Sequence, residues 1–573
     1  MKTTLFGPSI SRDHSIARPR MAFWGMLIIA FGLLFPVSGI CGGSSGGTEV
    51  WGGGKGNWSS LTNWNCYGPI SSSCGAPDGS TINVKIGTWH NYGKVWLNSA
   101  TSVNKLTLGD HGYGELNVEP SHSHSPTLTA NTIIVGKSHH SAGILNIKHG
   151  GTVDAYKTVI GDDRHSWGEV NVEGRHSKLE TRDLTVGDHG KGELNIKWGG
   201  DVKAEKTVIG DHPGSKGEVT VEGRGSKLET KDLTVGDHGR GDLTVKWGGE
   251  VKAEKTVIGD HRGSKGEVTV EGRGSKLETK DLTVGKEGKG RLAVTRGGKV
   301  EADSVKIGDK SGSKGTVIVA GRGSDLKDKG SLVVGDHGDG YLGIFDGGHV
   351  SDKVGIVGAR EGSNGDVTMS GEGSAWYNRY FLGVGLNGTG KLTVENGAWV
   401  GVGSHDDPGK LLIGSNGTVD VEGDLASAIQ ANIVNDGGSL VVDPPIEDVS
   451  SYTQNSGTTT FEVNGTGLND YGYIDITDSG LVDITGGTID IDFSGFTPTP
   501  GEQFDFFAGA GYVTVGPDVT ITVTGGSGSF IFNPSTGDYT FETPEPGTMT
   551  LLPIALIGLM GLMGYKKRNG LLI

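Results

Sequence analysis

Apolar and polar residues alternate along most of this chain, in runs too short for helices. The stretch DLTVGDHGRGDLTVKWGGEVKAEK, residues 232–255, is typical. Leu233 and Val235 face one way and Thr234 the other, because successive side chains on a strand point to opposite faces. Leu243 and Val245 repeat this, and Val251 and Ala253 repeat it again. The inward set is small and β-branched, as a narrow core requires, and the outward set is Thr, Lys, Glu and Asp. No apolar series follows helical spacing. Three short strands with glycine-bearing corners between them predict an all-β chain.

The pattern is periodic. The glycine closing each strand of the (V/I/L)-G type recurs at intervals of 23–27 residues, from Gly109 to Gly358. Long and short units alternate, so Gly161, Gly210, Gly259 and Gly308 stand 49 residues apart, and residues 214–236 are identical to 263–285. Three strands and three corners in so few residues make one rung of a right-handed parallel β-helix, with rungs about 4.8 Å apart. A single rung cannot bury its own apolar face, so stacking is obligatory. A propeller, with four strands in each blade, fits six strands per 49 residues less well. The expectation is a solenoid of about 13 rungs over residues 101–424.

The flanks differ. Residues 40–100 include VWGGGKGNWSSLTNWN, whose Trp51, Trp58 and Trp64 are expected to close the open end of the rod; a tryptophan binding platform is the sharper alternative. After Gly423 the period dissolves. Residues 425–543 still alternate apolar and polar, and are expected to form an acidic, β-rich cap that shields the last edge from aggregation.

Composition narrows the function. The 573 residues include 104 glycines but no Gly-X-Y period, so collagen is excluded. Net charge is −16, and residues 411–565 hold no Lys or Arg. No basic track for nucleic acid is present.

Candidate chemistry is sparse. Gly-Asp-His recurs, with its histidine at His111, His189, His212, His238, His261 and His337. Histidine beside aspartate suits a transition metal. Other rungs carry Lys286-Glu287, Asp309-Lys310 or Ala359-Arg360 at the same place, which points to solvated corners and no metal array. Asp475, Asp478, Asp483, Asp490 and Asp492 offer at most weak calcium sites, without the nonapeptide calcium repeat. No other cofactor is expected. β-Helix enzymes that cut polysaccharides break their repeat with a cluster of unique charged residues. Here the charged residues are themselves repeated, which argues against catalysis. Cys66 and Cys74, in NCYGPISSSCG, suit a small disulfide loop if the protein is exported.

Both ends carry addresses. Residues 1–39 have arginines before an apolar run and then small residues, the pattern of a secretory signal. Residues 544–573 begin with Pro544-Glu545-Pro546, continue with an apolar run long enough for a short transmembrane helix, and end with Lys566-Lys567-Arg568. This three-part tail resembles the PEP-CTERM sorting signal of Gram-negative bacteria. The resemblance implies recognition and tail removal by an exosortase, a membrane cysteine-type protease and transpeptidase. It implies a membrane-anchored precursor, then a surface or extracellular protein.

The repeat V-G-x-x-G-x-G-x-L-x-(V/I)-x-x-G-G-x-V, at Val186–Val202, Val235–Val251, Val284–Val300 and Val334–Val350, resembles that shared by type V secretion (autotransporter) passengers and PEP-CTERM proteins. The combined expectation is an exported structural or adhesive protein of the surface or biofilm matrix, with exopolysaccharide or surface glycans as partner. An autotransporter-like adhesin for surfaces or cells is the alternative, and a polysaccharide-degrading enzyme a minor one.

Overall fold

The turn that contains the stretch above is built from strands Asp232–Val235, Arg240–Lys246 and Glu250–Lys252. Each pairs in parallel with its counterpart one turn earlier: Lys206–Ile209, Lys216–Glu222 and Lys227–Glu229. Each pairs again with the turn that follows. The register never slips here, so Val219, Leu243, Val268 and Leu292 stand in one column. A slip of one residue would turn every apolar side chain outward, and the buried face forbids it.

The computed structural model describes residues 47–542 except 68–75, 90–91, 121–124, 424, 426, 468–469, 500, 526–528 and 534–537. Within them the chain is an all-β parallel solenoid of about 16 turns with almost no helix. At about 4.8 Å per turn the stack is about 75 Å long. No helix among the described residues is long and apolar enough to cross a membrane. The expected signal peptide, 1–39, and the expected sorting helix, 544–573, lie outside the described residues.

The inward set is as expected except at Ala253. Leu233, Val235, Leu243, Val245 and Val251 are at most 1% exposed. Ala253 is only partly buried, because it lies in the bend before the next strand. Corner glycines are demanded by close approach. A Cβ on Gly241 would stand 2.3 Å from both Gly236 N and Ile209 O. Gly236 itself has φ +72°, and a Cβ there would meet Lys265 O at 2.4 Å. Small polar side chains tie turn to turn. Thr207 Oγ1 donates to Thr230 Oγ1 at 3.1 Å, and Asn146 Nδ2 to Asn117 Oδ1 at 2.9 Å.

The expected 13 rungs are too few. Parallel pairing continues beyond Gly423, through Asn432–Val442, Ser451–Glu462, Leu481–Asp492 and Tyr512–Thr524. The glycine period fades there because a single long strand, Asn432–Val442, bends to pair with both Lys410–Gly414 and Gly417–Glu422 of the turn before, and buried amides satisfy the bend. Gln454 Nε2 donates to Gly486 O and Thr488 O, and Asn435 Oδ1 accepts from Gly438 N. A small antiparallel sheet of Gln503–Phe504, Asp538–Glu542 and Ser529–Asn533 adjoins this region in sequence.

At the other end, Thr48–Trp51 pairs antiparallel with Trp64–Tyr67 and parallel with Gly79–Ile86. Trp51, Trp58 and Trp64 are at most 4% exposed. Trp64 meets the other two edge-on, with ring centroids 4.9 and 5.0 Å apart. They are buried in the core of the first turn, so none presents an exposed ring face there.

Candidate functional site

The widest strand of each turn, such as Arg240–Lys246, is flanked by two corners, and stacking converts each corner into an edge of the rod. The first edge carries Gly-Asp-His. The second follows the last residue of the wide strand and carries Trp-Gly-Gly.

On the second edge the backbone is left-handed at the residue after the strand. His149, Trp198, Trp247, Arg296, Asp346 and Asn396 take φ of 53–56° there, on alternate turns. Two are tryptophans, and they are 65% and 64% exposed. A bulky residue with positive φ is a backbone outlier of about 1–2 kcal/mol, and an exposed indole gains little burial in return. Asn396 marks the contrast, because asparagine adopts this conformation readily.

Arginines occupy the turns between. Arg175, Arg224, Arg273 and Arg322 are exposed, and their stems cross the corner glycines. A Cβ on Gly248 would stand 2.9 Å from Arg224 Cγ. None of these four makes an ion pair among the described residues, whereas most neighbouring charges do. Lys148 pairs with Glu173 at 3.0 Å, Lys246 with Glu222 at 3.4 Å, and Arg296, on this same edge, with Glu271 at 3.2 Å. The edge therefore reads Arg175, Trp198, Arg224, Trp247, Arg273, Arg296, Arg322, about one residue per 4.8 Å. Lys246 Nζ lies 4.6 Å from the Trp247 ring centre. In a chain of net charge −16, this is a local cationic and aromatic stripe.

Sequence reasoning passed over these residues, treating WGG as a turn. The signal was there in the word itself. Turns favour small or polar residues, and a tryptophan at the turn needed another reason.

The Gly-Asp-His edge is more than a row of wet corners. Asp188, His189 and His212 come together, as do Asp237, His238 and His261, with ligand-bearing atoms within 4.8 Å of one another in each group. His111 and His337 sit beside their own Asp110 and Asp336 at 3.3 and 3.6 Å, without a second histidine, and Asp110 is engaged by Lys85 at 2.7 Å. Asp211 lies between the groups. Burial raises its pKa from the ordinary value; His212 opposes this and Asp237 reinforces it.

The remaining predicted residues are dispersed. Cys66 is disulfide-bonded, and Cys74 lies outside the described residues. So do Pro544, Glu545, Pro546, Lys566, Lys567 and Arg568. Of the acidic set, Asp483 accepts from Thr514 at 2.6 Å and Asp490 from Thr522 at 2.6 Å. Asp492 accepts from Ser494 N at 2.8 Å, and Asp478 faces His405 at 3.4 Å. Burial first and Asp448 second raise Asp475. These carboxylates are held by their own surroundings and form no common cluster among the described residues.

No protein-family model matches the chain, and no curated protein matches its sequence.

Proposed function

We propose that this is an exported structural or adhesive rod, wound right-handed, which binds acidic polysaccharide at the cell surface or in the extracellular matrix. The observation that carries the reading is one edge on which Arg175, Arg224, Arg273 and Arg322, without ion pairs among the described residues, alternate with the exposed, left-handed Trp198 and Trp247 and with Arg296, which Glu271 holds. An indole face stacks on the apolar face of a pyranose ring, and a guanidinium takes a carboxylate in two parallel hydrogen bonds. Trp198 and Trp247 are two turns apart, about 10 Å, close to the length of two linked sugar rings. Each contact is weak, and a row of them on one rigid rod gains by avidity. Backbone strain retained at an exposed position fits a binding role better than a folding role.

The address is read from the sequence. The PEP-CTERM-like tail implies a membrane-held precursor processed by an exosortase-type enzyme, and the leader implies export. Exopolysaccharide production accompanies such sorting systems, which agrees with the chemistry of the edge. The reading is tested by deleting the gene and fractionating the cells. The rod is expected at the surface or in the matrix of the parent strain, without its last residues, and the deletant is expected to lose matrix cohesion. An unchanged matrix, or a rod kept inside the cell, would overturn it.

A further inference from the structure

The two Asp-His-His groups repeat each other in detail. His212 Nδ1 lies 2.7 Å from Asp188 Oδ1, and His261 Nδ1 lies 2.7 Å from Asp237 Oδ1. The second histidine of each group approaches the same carboxylate, His189 at 3.5 Å and His238 at 3.3 Å. The imidazoles stack in pairs, with centroids 3.8 Å apart for His189 and His212 and 3.9 Å for His238 and His261. The groups differ in one respect: His212 Nδ1 has no aligned hydrogen-bond partner despite that short approach, whereas His261 Nδ1 hydrogen-bonds Asp237 Oδ1. The histidines are 43–45% exposed, while Asp188 and Asp237 are 17% and 19% exposed. Each carboxylate is thus anchored at the rod wall with two imidazoles above it, open to solvent.

We propose that each group binds one borderline divalent transition-metal ion, of the zinc and copper class, giving two ions per chain. Two imidazole nitrogens and one carboxylate oxygen are the donor set such ions prefer, whereas calcium and magnesium call for more oxygens. Small side-chain adjustments would turn nitrogens now near one carboxylate onto a shared ion. Three protein ligands leave at least one position facing solvent. Lysine and arginine elsewhere on the edge do not oppose this, because the sites are discrete pairs of adjacent turns and not one continuous array. Lys286 takes the corner one turn beyond His261 and pairs with Asp260, which is outside the group, its Nζ 2.7 Å from Oδ1. The sites repeat because the 49-residue double unit is duplicated, so they lie two turns apart, about 10 Å.

The experiment is zinc titration of the mature, full-length rod against a chromophoric indicator, with copper electron paramagnetic resonance beside it. Two ions per chain are expected. His212→Ala and His261→Ala should each remove one, and the double variant both. His261→Lys is a second variant that the fold already accepts, since Lys310 occupies the matching corner of a later turn. His111→Ala and His337→Ala should leave two. The copper-loaded rod should show nitrogen coupling and the dipolar broadening of two ions about 10 Å apart, with the broadening lost in His261→Lys. No binding at micromolar metal would overturn the proposal. So would two ions retained in the double variant, which would assign them to other histidines such as His139, His140 and His165.

Discussion

Inside the rod, Trp376 Nε1 donates to Asp352 Oδ2 at 2.6 Å. Asp352 is 4% exposed and stands beside Asn378 in register, with Asp328 one turn before it. Burial holds Asp352 well above the ordinary carboxylate range; the Trp376 indole opposes this and Asp328 adds to it. Asp328 is pushed up to about 6 by burial, against two backbone N–H donors. An aliphatic core with a column of acids is therefore stabilised by protons.

The sign follows from proton counting. Between 3.8 and about 6 the folded Asp328 binds more protons than the unfolded one, so stability falls as pH rises through that window. The contribution is fully present below 3.8 and gone above about 6. Asp328→Asn should raise the unfolding free energy from urea melts at pH 7 by on the order of 2 kcal/mol, and change it little at pH 3.5. Equal effects at both pH values would contradict the assignment.

Two glycine substitutions separate crowding from backbone preference. Gly214 has φ +86° with open space around its absent Cβ, so Gly214→Ala should cost about 1–2 kcal/mol through conformation alone. Gly241 meets backbone atoms of two neighbouring segments at 2.3 Å, so Gly241→Ala must part the stack and should cost about 3 kcal/mol or more. Urea melts compared with limited proteolysis check both, with new cleavage expected around residues 209–241 only for Gly241→Ala.

Charge ladders contribute little to folding. Lys280 and Glu254 pair at 3.3 Å but are 63% and 59% exposed, so Lys280→Gln should change stability by less than about 0.5 kcal/mol. Leu243→Ala, at a position 1% exposed, should cost about 2–5 kcal/mol. A rod whose melting temperature collapsed in molar salt would contradict this ranking.

The solenoid was legible because its signals are local. Alternation at Leu243 and Val245 gives the strand face, and the 49-residue repeat gives the stacking. The later turns were hidden, because the bends at Asn435 and Gln454 are satisfied by single buried amides that no period announces. The metal-type groups were hidden for a different reason. His189 and His212 are 23 residues apart, and their meeting depends on register between turns, which the repeat implies but does not display. The Arg224 and Trp247 edge was spelled out, yet looked like punctuation because glycines follow it.

The Arg and Trp edge is proposed to bind acidic glycan. The most direct measurement is the binding of the mature rod to an immobilised polyuronate, compared with neutral glucan and duplex DNA, for the parent and for Trp198→Asn/Trp247→Asn. Asparagine suits the left-handed corner, so the variant should melt at or above the parent temperature. Polyuronate binding is expected in preference to both other ligands, weakened about tenfold or more in the variant. Equal affinity of the two proteins for polyuronate, or a parent that prefers DNA or binds none of the three, would contradict the proposal.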